Sequence, residues 1–263
     1  MEFRKIIFQK SNNIATIKLN RPKKFNALNI ELASDLAKAL EICLGDEDIR
    51  AVIITGEGKA FCAAGDISVL KASLETDSSN MLSELIDLLN IIIINIRSMP
   101  KPVIAAINGA VVAAGMSIAA ACDLRICVSS AKFRQSYTGI GFTGDGGWML
   151  LVPLLLGFGR ATELLLLDPV FDAMQALDWG FVNNVVGDDE LERVSTEMAI
   201  KLAQGPTKAF AIAKENLNHA MLGLLKRQLE LERSGMVKAS KTPDSREGLD
   251  AFFEKRKPKF TGK

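Results

Sequence analysis

The sequence predicts an α/β fold: parallel strands alternating with helices, closed by a helical C-terminal region. Three observations carry this expectation. Residues 51–55 and 103–107 are apolar runs rich in Val and Ile, as strands buried on both faces are. A turn and a helical stretch follow each run, which is the order of parallel β/α layers. After about residue 190 the pattern becomes helical and charged, punctuated by Pro206 and Pro243. We therefore expect a layered core over residues 1–195 and a helical region over 196–263. A chain of 263 residues is long enough for one sizeable α/β core.

Element by element, two short strands open the chain. In the second, Ala15, Ile17 and Leu19 alternate with Thr16 and Lys18. Pro22 and the lysines after it make a loop. Asn29 then caps a helix whose Leu32, Leu36, Leu40 and Leu44 share one stripe, closed by Gly45. The strand at 51–55 ends at Gly56. A helix over 80–97 stops before Pro100 and Pro102. The strand at 103–107 leads to a small-residue helix over 114–122, then a third strand over 124–128.

Composition excludes several classes. With 32 basic and 31 acidic residues, net charge +1, nothing favours nucleic acid or an anionic membrane as partner. The single histidine, His219, excludes a His-rich metal site and reads as a surface residue. Cys43, Cys62, Cys122 and Cys127 match no zinc spacing and read as reduced, buried thiols of a cytoplasmic protein. The opening MEFRKIIFQK does not read as a signal peptide. Residues 103–122 and 149–167 are apolar enough to suggest membrane spans. Gly109, Gly115, Pro153, Gly157 and Arg160 interrupt them, so both are expected to be buried core.

Three glycine-rich turns stand out, at residues 56–66, 108–115 and 139–147. Small residues at strand-to-helix turns let a ligand approach the backbone, and helix N-termini leave N–H groups free to meet negative charge. None of the three is G-x-G-x-x-G or a P-loop. On residues alone they read equally as tight turns.

Several segments resemble the crotonase (enoyl-CoA hydratase/isomerase) superfamily. They are L-N-R-P-K-K-F-N-A-L-N (19–29), A-F-C-A-A-G-D-I (60–67), I-N-G-A-V-V-A-A-G (107–115), W-G-F-V-N-N-V-V (179–186) and the terminal R-E-G-L-D-A-F-F-E-K-R-K-P-K-F. They fall in family order over nearly the whole chain. The resemblance implies a crotonase-like spiral of ββα units with a C-terminal helical trimerisation region, assembled as a homotrimer or hexamer. It implies an acyl-CoA substrate whose thioester oxygen sits between the N–H groups of Gly65 and Ala114, with no cofactor beyond the coenzyme A of the substrate. Such donors stabilise the enolate oxygen formed when C2 loses a proton, each contributing roughly 3–4 kcal/mol.

Where superfamily hydratases carry two water-holding glutamates, this chain has Ser117 and, by alignment, Tyr137. Neither replaces a carboxylate base near neutral pH. Asp145, in G-F-T-G-D-G-G, resembles the catalytic aspartate of isomerase-type members, including the ring-epoxide isomerases of phenylacetate degradation. One carboxylate suffices for a double-bond shift. We therefore expect an enoyl-CoA isomerase, the alternatives being a hydratase with a non-standard site or an inactive acyl-CoA-binding homologue. A dehalogenase-like hydrolase would need a histidine near the thioester, and His219 lies in the helical end.

Each candidate also has a plain structural reading. An aspartate before a helix is a favoured N-cap, so Asp145 is either a cap or the acid/base. A helix N-terminus would lower its pKa, whereas an apolar wall from Phe142 and Trp148 would raise it; a working base needs the second to prevail. Ala63, Asp66 and Ile67 flank Gly65 and are candidate substrate contacts, with Asp66 reading equally as a turn residue. Lys59 is either a solvated loop charge or a partner for a coenzyme A phosphate. Phe252 and Lys255 resemble the family pair that meets adenine and phosphate across a subunit boundary, or are a helix face with a core Phe and a surface Lys. Tyr137, the only tyrosine, could bond substrate or Asp145, or be structural. Residues 70–81 are expected to form part of the acyl pocket and, by composition, to be flexible. Leu222, Leu224, Leu225, Leu229 and Leu231 are expected to pack against something, a second subunit being one option.

Overall fold

The computed structural model describes residues 3–75 and 79–263. The chain begins with an antiparallel hairpin, β1 (Ile6–Ser11) and β2 (Ile14–Leu19), and then α1 (Ile30–Gly45). Asn29 caps α1 as expected, its Oδ1 accepting the Leu32 N–H at 3.0 Å. Then come β3 (Ala51–Gly56), β4 (Ala60–Ala63), α2 (Ile67–Glu75) and α3 (Ser79–Ser98). The same order recurs in β5 (Val103–Ile107), β6 (Ala110–Val112) and α4 (Ala114–Ala121). It recurs again in β7 (Leu124–Val128), β8 (Lys132–Arg134), a 3₁₀ turn (Thr138–Ile140), α5 (Trp148–Leu156) and α6 (Phe158–Leu167). The chain closes with β9 (Phe171–Asp172), α7 (Ala173–Asp178), β10 (Asn184–Val186), α8 (Leu191–Gln204), α9 (Thr207–Ala239) and α10 (Pro243–Phe253).

After the hairpin, the pairs β3–β4, β5–β6 and β7–β8 each place one strand in each of two sheets. The first sheet has six strands in the order β1-β2-β3-β5-β7-β10; the second has four, β4-β6-β8-β9. From β2 onward the first sheet is parallel, with Ile53 opposite Ile104 and Ala105 opposite Arg125. This is the ββα spiral. Two strands of the second sheet, β4 and β6, were hidden in what reads as glycine-rich turns. The strands of this sheet are two to four residues long, too short for a periodicity to declare itself.

The helical end is not a separate body. The break expected at residue 195 falls inside α8, which packs on β3, β5 and β7 of the first sheet. One face of α9 is buried: Lys214, Asn218, Leu225, Leu229, Glu232 and Met236 recur at three-, four- and seven-residue spacings. Lys214 Nζ binds Asp123 Oδ2 at 2.7 Å and the Ile96 carbonyl at 2.9 Å, tying α9 to α3 and β7. Leu225 and Leu229 therefore pack inward, whereas Leu224 and Leu231 stay exposed; the Leu222 side chain lies outside the described residues.

Residues 103–122 are buried core, as read from sequence. Residues 149–167 are so on one face only: Leu151, Val152, Ala161 and Leu164 are buried, but Leu154, Phe158, Leu166 and Leu167 face out. An apolar run gives no face, so the sequence could not tell the two sides apart. Among the described residues no helix is long and apolar enough to cross a membrane.

Candidate active site

Two parallel strands of the second sheet end side by side. Ala63, the last residue of β4, lies opposite Val112, the last of β6. One residue later each chain turns into a positive-φ conformation, with φ of +71° at Ala64 and +46° at Ala113. For residues with a Cβ this costs on the order of 1–3 kcal/mol, and such strain concentrates at functional sites. The consequence is shared: both strands leave the ladder, and the next N–H groups, those of Gly65 and Ala114, make no bond to any acceptor among the described residues. The Leu28 bridge beside them uses the Ala64 carbonyl and the Asp66 N–H instead. Ala114 opens α4, so its N–H is also one that the helix itself leaves unpaired.

Both residues line one pocket. A Cβ built on Gly65 would meet only Leu85, at 3.7 Å, so the space before this N–H is open. At Gly115 the opposite holds: a Cβ would run into the Cys62 carbonyl, and glycine is what lets α4 sit directly on β4.

The rest of the pocket is hydrocarbon. α2 contributes Ile67 and Leu70, and α3 contributes Leu82, Leu85, Ile86 and Leu89. Ile140 and Phe142 close it from the 3₁₀ turn and loop, and Met236 from α9. Of the stretch 70–81 expected to border the acyl pocket, Leu70 lines this cavity, and 76–78 lie outside the described residues. Among the described lining residues Asp145 alone carries a charge.

Asp145 is not a helix cap. The N-cap of α5 is Gly147, and no side chain of the α5 terminus itself caps it. Instead Asp145 is buried and its Oδ1 accepts the Tyr137 hydroxyl at 2.6 Å. The Ser117 hydroxyl, from α4, donates to the Asp145 carbonyl at 2.8 Å. Burial pushes the Asp145 carboxyl up from 3.8 to about 6, against the Tyr137 hydrogen bond, which favours the anion. The apolar wall therefore prevails. Burial, and then the nearby Asp145 charge, hold the Tyr137 hydroxyl well above its ordinary pKa, so it remains a donor. Gln135, itself buried, fixes this tyrosine: its Oε1 accepts the Tyr137 N–H at 3.0 Å and its Nε2 donates to Thr138 Oγ1 at 2.6 Å.

Tyr137→Phe removes a donor that stabilises the carboxylate, so the acidic limb of kcat/KM is expected to move to higher pH, by up to about one unit. The pH–rate profile checks this; a limb at its original position would detach Tyr137 from the titration of Asp145.

Of the residues singled out in the sequence, Gly65, Ile67, Ala114, Tyr137 and Asp145 converge on the pocket. The others lie elsewhere in the chain. Ala63 ends β4 behind Gly65. Asp66 turns to Arg21, whose Nη2 lies 2.9 Å from Oδ2, and its Oδ1 accepts the Ser68 N–H. Burial opposes the Asp66 anion, but these bonds outweigh it and leave the carboxyl below its usual range. Lys59 is exposed at the turn between β3 and β4. Phe252 and Lys255 are exposed at the C-terminal end and do not line the pocket. His219 is exposed on α9.

One buried acid escaped the sequence reading. Glu232 accepts the Gly147 N–H at 2.6 Å and the Met149 N–H at 2.9 Å, so a side chain of α9 caps α5. The signal was available: a glutamate seven residues after Leu225 and three after Leu229 stands on an otherwise apolar stripe.

Strand ends with paired free amides beneath an apolar cavity, in a ββα spiral, define a crotonase-type fold. The chain belongs to the enoyl-CoA hydratase/isomerase family, whose sequence profile matches residues 9–263. It is 35% identical to the 1,2-epoxyphenylacetyl-CoA isomerase of Escherichia coli and 30% identical to the trans-2-decenoyl-[acyl-carrier-protein] isomerase of Streptococcus mutans, each over the full length of both chains. The crystal structure of an enoyl-CoA hydratase from Mycobacterium avium subsp. paratuberculosis superposes with a TM-score of 0.89 at 32% identity, covering 99% of this chain and all of that one. The similar proteins thus include both isomerases and hydratases.

Proposed function

We propose that this chain is an enoyl-CoA isomerase that shifts a carbon–carbon double bond through an enolate, with Asp145 as the acid/base. The observation that carries this reading is a single buried carboxylate on a pocket that Gly65 and Ala114, with their two unpaired amides, also line. In this reading the thioester oxygen of a 3-enoyl-CoA accepts both N–H groups. The Asp145 carboxylate takes a proton from C2. The C2–H electron pair forms a C1–C2 double bond as the C1=O pair moves onto the gripped oxygen, giving a dienolate. When that oxyanion re-forms C1=O, the C1–C2 pair becomes the C2–C3 double bond and the C3–C4 pair takes up a proton at C4. The protonated Asp145 supplies that proton, and the product is the 2-enoyl-CoA. A carboxyl lifted to about 6 suits both halves of this exchange near neutral pH. No cofactor is needed beyond the coenzyme A of the substrate.

Ser117 and Tyr137 occupy the positions where hydratases of the superfamily hold water with two glutamates. The Ser117 hydroxyl is committed to the Asp145 carbonyl and the Tyr137 hydroxyl to the Asp145 carboxylate, which supports a site built for proton transfer. A turnover screen with 3-enoyl, 2-enoyl and ring-bearing CoA thioesters tests this. Interconversion of 3- and 2-enoyl-CoA, lost in Asp145→Asn, is expected. Similar proteins that are hydratases keep a second reading in play, and rapid loss of the conjugated thioester absorbance of a trans-2-enoyl-CoA would establish it in place of ours.

We further propose a trimeric or hexameric assembly in the cytoplasm. The exposed Leu154, Phe158, Leu166, Leu167, Val170 and Met174 on α5–α7 support association, and four buried, unpaired cysteines suit a reducing compartment. Exposed Phe252 and Lys255 would then be available to a neighbouring subunit's coenzyme A.

A further inference from the structure

The buried face of α9 is apolar from Leu225 to Met236 except for Glu232, which is 4% exposed. A buried carboxylate is costly unless its oxygens are satisfied. Here both are engaged, and the partners are specific. Oε2 accepts the N–H of Gly147, two residues after Asp145, and Oε1 accepts those of Met149 and, at 3.1 Å, the Gln228 side chain. Gly147 and Met149 sit at the start of α5, where the helix has no acceptors of its own for these N–H groups. The segment they terminate is conformationally permissive, because Gly146 and Gly147 both have positive φ, of +64° and +78°. A loop with two successive glycines needs an external anchor to keep Asp145 in one place. α9 is itself pinned upstream by Lys214 on Asp123 and by Asn218 on Arg97.

We propose that Glu232 is a positioning residue for Asp145: its carboxylate fixes the 144–148 loop through the Gly147 and Met149 amides. This inference rests on the reading of Asp145 as the acid/base. The titratable groups acting on the pair come from three elements: Tyr137 beyond β8, Asp145 on the loop and Glu232 on α9. The nearest charged neighbours on α9, Arg233 with its partner Asp87 on α3, lie at the surface. Burial, with Asp145 adding to it, lifts the Glu232 carboxyl to about 7, against its three hydrogen-bond donors.

The test compares the native chain with Glu232→Gln and Asp145→Asn, assayed on 3-hexenoyl-CoA. Glutamine keeps the volume but presents one acceptor and one clashing donor to the two amides. For Glu232→Gln we expect kcat to fall at least tenfold while KM changes less than about threefold. Amide exchange of peptides covering 144–149 should accelerate at least tenfold, with other core segments unchanged. Native kcat, or a loss accompanied by exchange increases across the whole core, would overturn the proposal. Asp145→Asn separates the two readings: if it retains turnover the acid/base assignment fails, whereas an inactive Asp145→Asn beside a native-like Glu232→Gln removes only Glu232. Should Glu232→Gln not fold, Glu232→Asp decides, because its shorter side chain withdraws the carboxylate from the two amides. A fall in kcat with faster exchange of 144–149 is expected, and native kcat with native exchange of 144–149 would overturn the proposal.

Discussion

Asp145→Asn is expected to lower kcat by at least about a thousandfold and, at pH 8, to raise the melting temperature. The catalytic half follows from the proposed chemistry. One group performs both proton transfers, general acid–base catalysis contributes roughly 10²–10⁴-fold, and an amide neither accepts nor returns a proton at these pH values. The stability half follows from burial. The Asp145 carboxyl is lifted from 3.8 to about 6 in the folded chain. Between those values the folded state holds the proton and the unfolded state has lost it, so stability falls as pH rises through this window. Above pH 6 the full penalty applies, on the order of 3 kcal/mol. Asparagine has the same shape, can still accept the Tyr137 hydroxyl, and carries no charge to desolvate. After allowing for a weaker hydrogen bond, roughly 1–3 kcal/mol of gain remains, which for a chain of this size is several degrees in Tm. Thermal melts at pH 8 and pH 4 check this, because near pH 4 the folded carboxyl keeps its proton and the unfolded one is close to its own pKa, so most of the gain should disappear. A variant that is inactive and also less stable at pH 8 would identify Asp145 as a structural group whose loss disrupts the loop.

Ala114→Pro is expected to lower kcat by about 10²–10³-fold with the fold intact. Proline deletes one of the two amides proposed to grip the thioester oxygen. A single oxyanion donor of this kind contributes about 2.7–4 kcal/mol to transition-state stabilisation. Ala114 is the first residue of α4, its N–H serves no intramolecular acceptor and proline is favoured at that helix position. Ala113 before it, however, at φ +46° and ψ −114°, lies outside the extended range that proline imposes on the preceding residue, so a melt and amide exchange of the variant must show the native fold before its kcat is read. Steady-state kinetics together with binding of a saturated acyl-CoA by calorimetry separate the outcomes. A kcat within tenfold of native, with the melting temperature preserved, would exclude the Ala114 amide from the oxyanion site. The loss should concentrate in kcat, since a developing oxyanion accepts these bonds more strongly than a ground-state carbonyl does.

Much of this architecture was legible beforehand. Apolar runs marked β3, β5 and β7, Asn29 marked the start of α1, five motifs in family order pointed to the spiral and to the turns at Gly65 and Ala114, and the separate G-F-T-G-D-G-G turn pointed to Asp145. The second sheet was not legible, because β4, β6, β8 and β9 are stabilised by pairing with one another across 20 to 50 residues and carry almost no local periodicity. The outward face of α5 and α6 was likewise hidden in an unbroken apolar run.

For the site, sequence alone determined which chemical groups exist: a carboxylate in a glycine-rich loop, small residues at two turns, one tyrosine and one histidine. Only tertiary structure decided what those groups can do. Whether Asp145 caps a helix or titrates near neutrality depends on its burial against Phe142 and on a hydroxyl eight residues away. The openness of the Gly65 and Ala114 amides is set by two alanines held at positive φ by the ends of paired strands. The link from Glu232 to Gly147 spans 85 residues. The physical reason is common to all three: desolvation and hydrogen-bond geometry are properties of what surrounds a group in space, and neighbours along the chain supply only part of that surrounding.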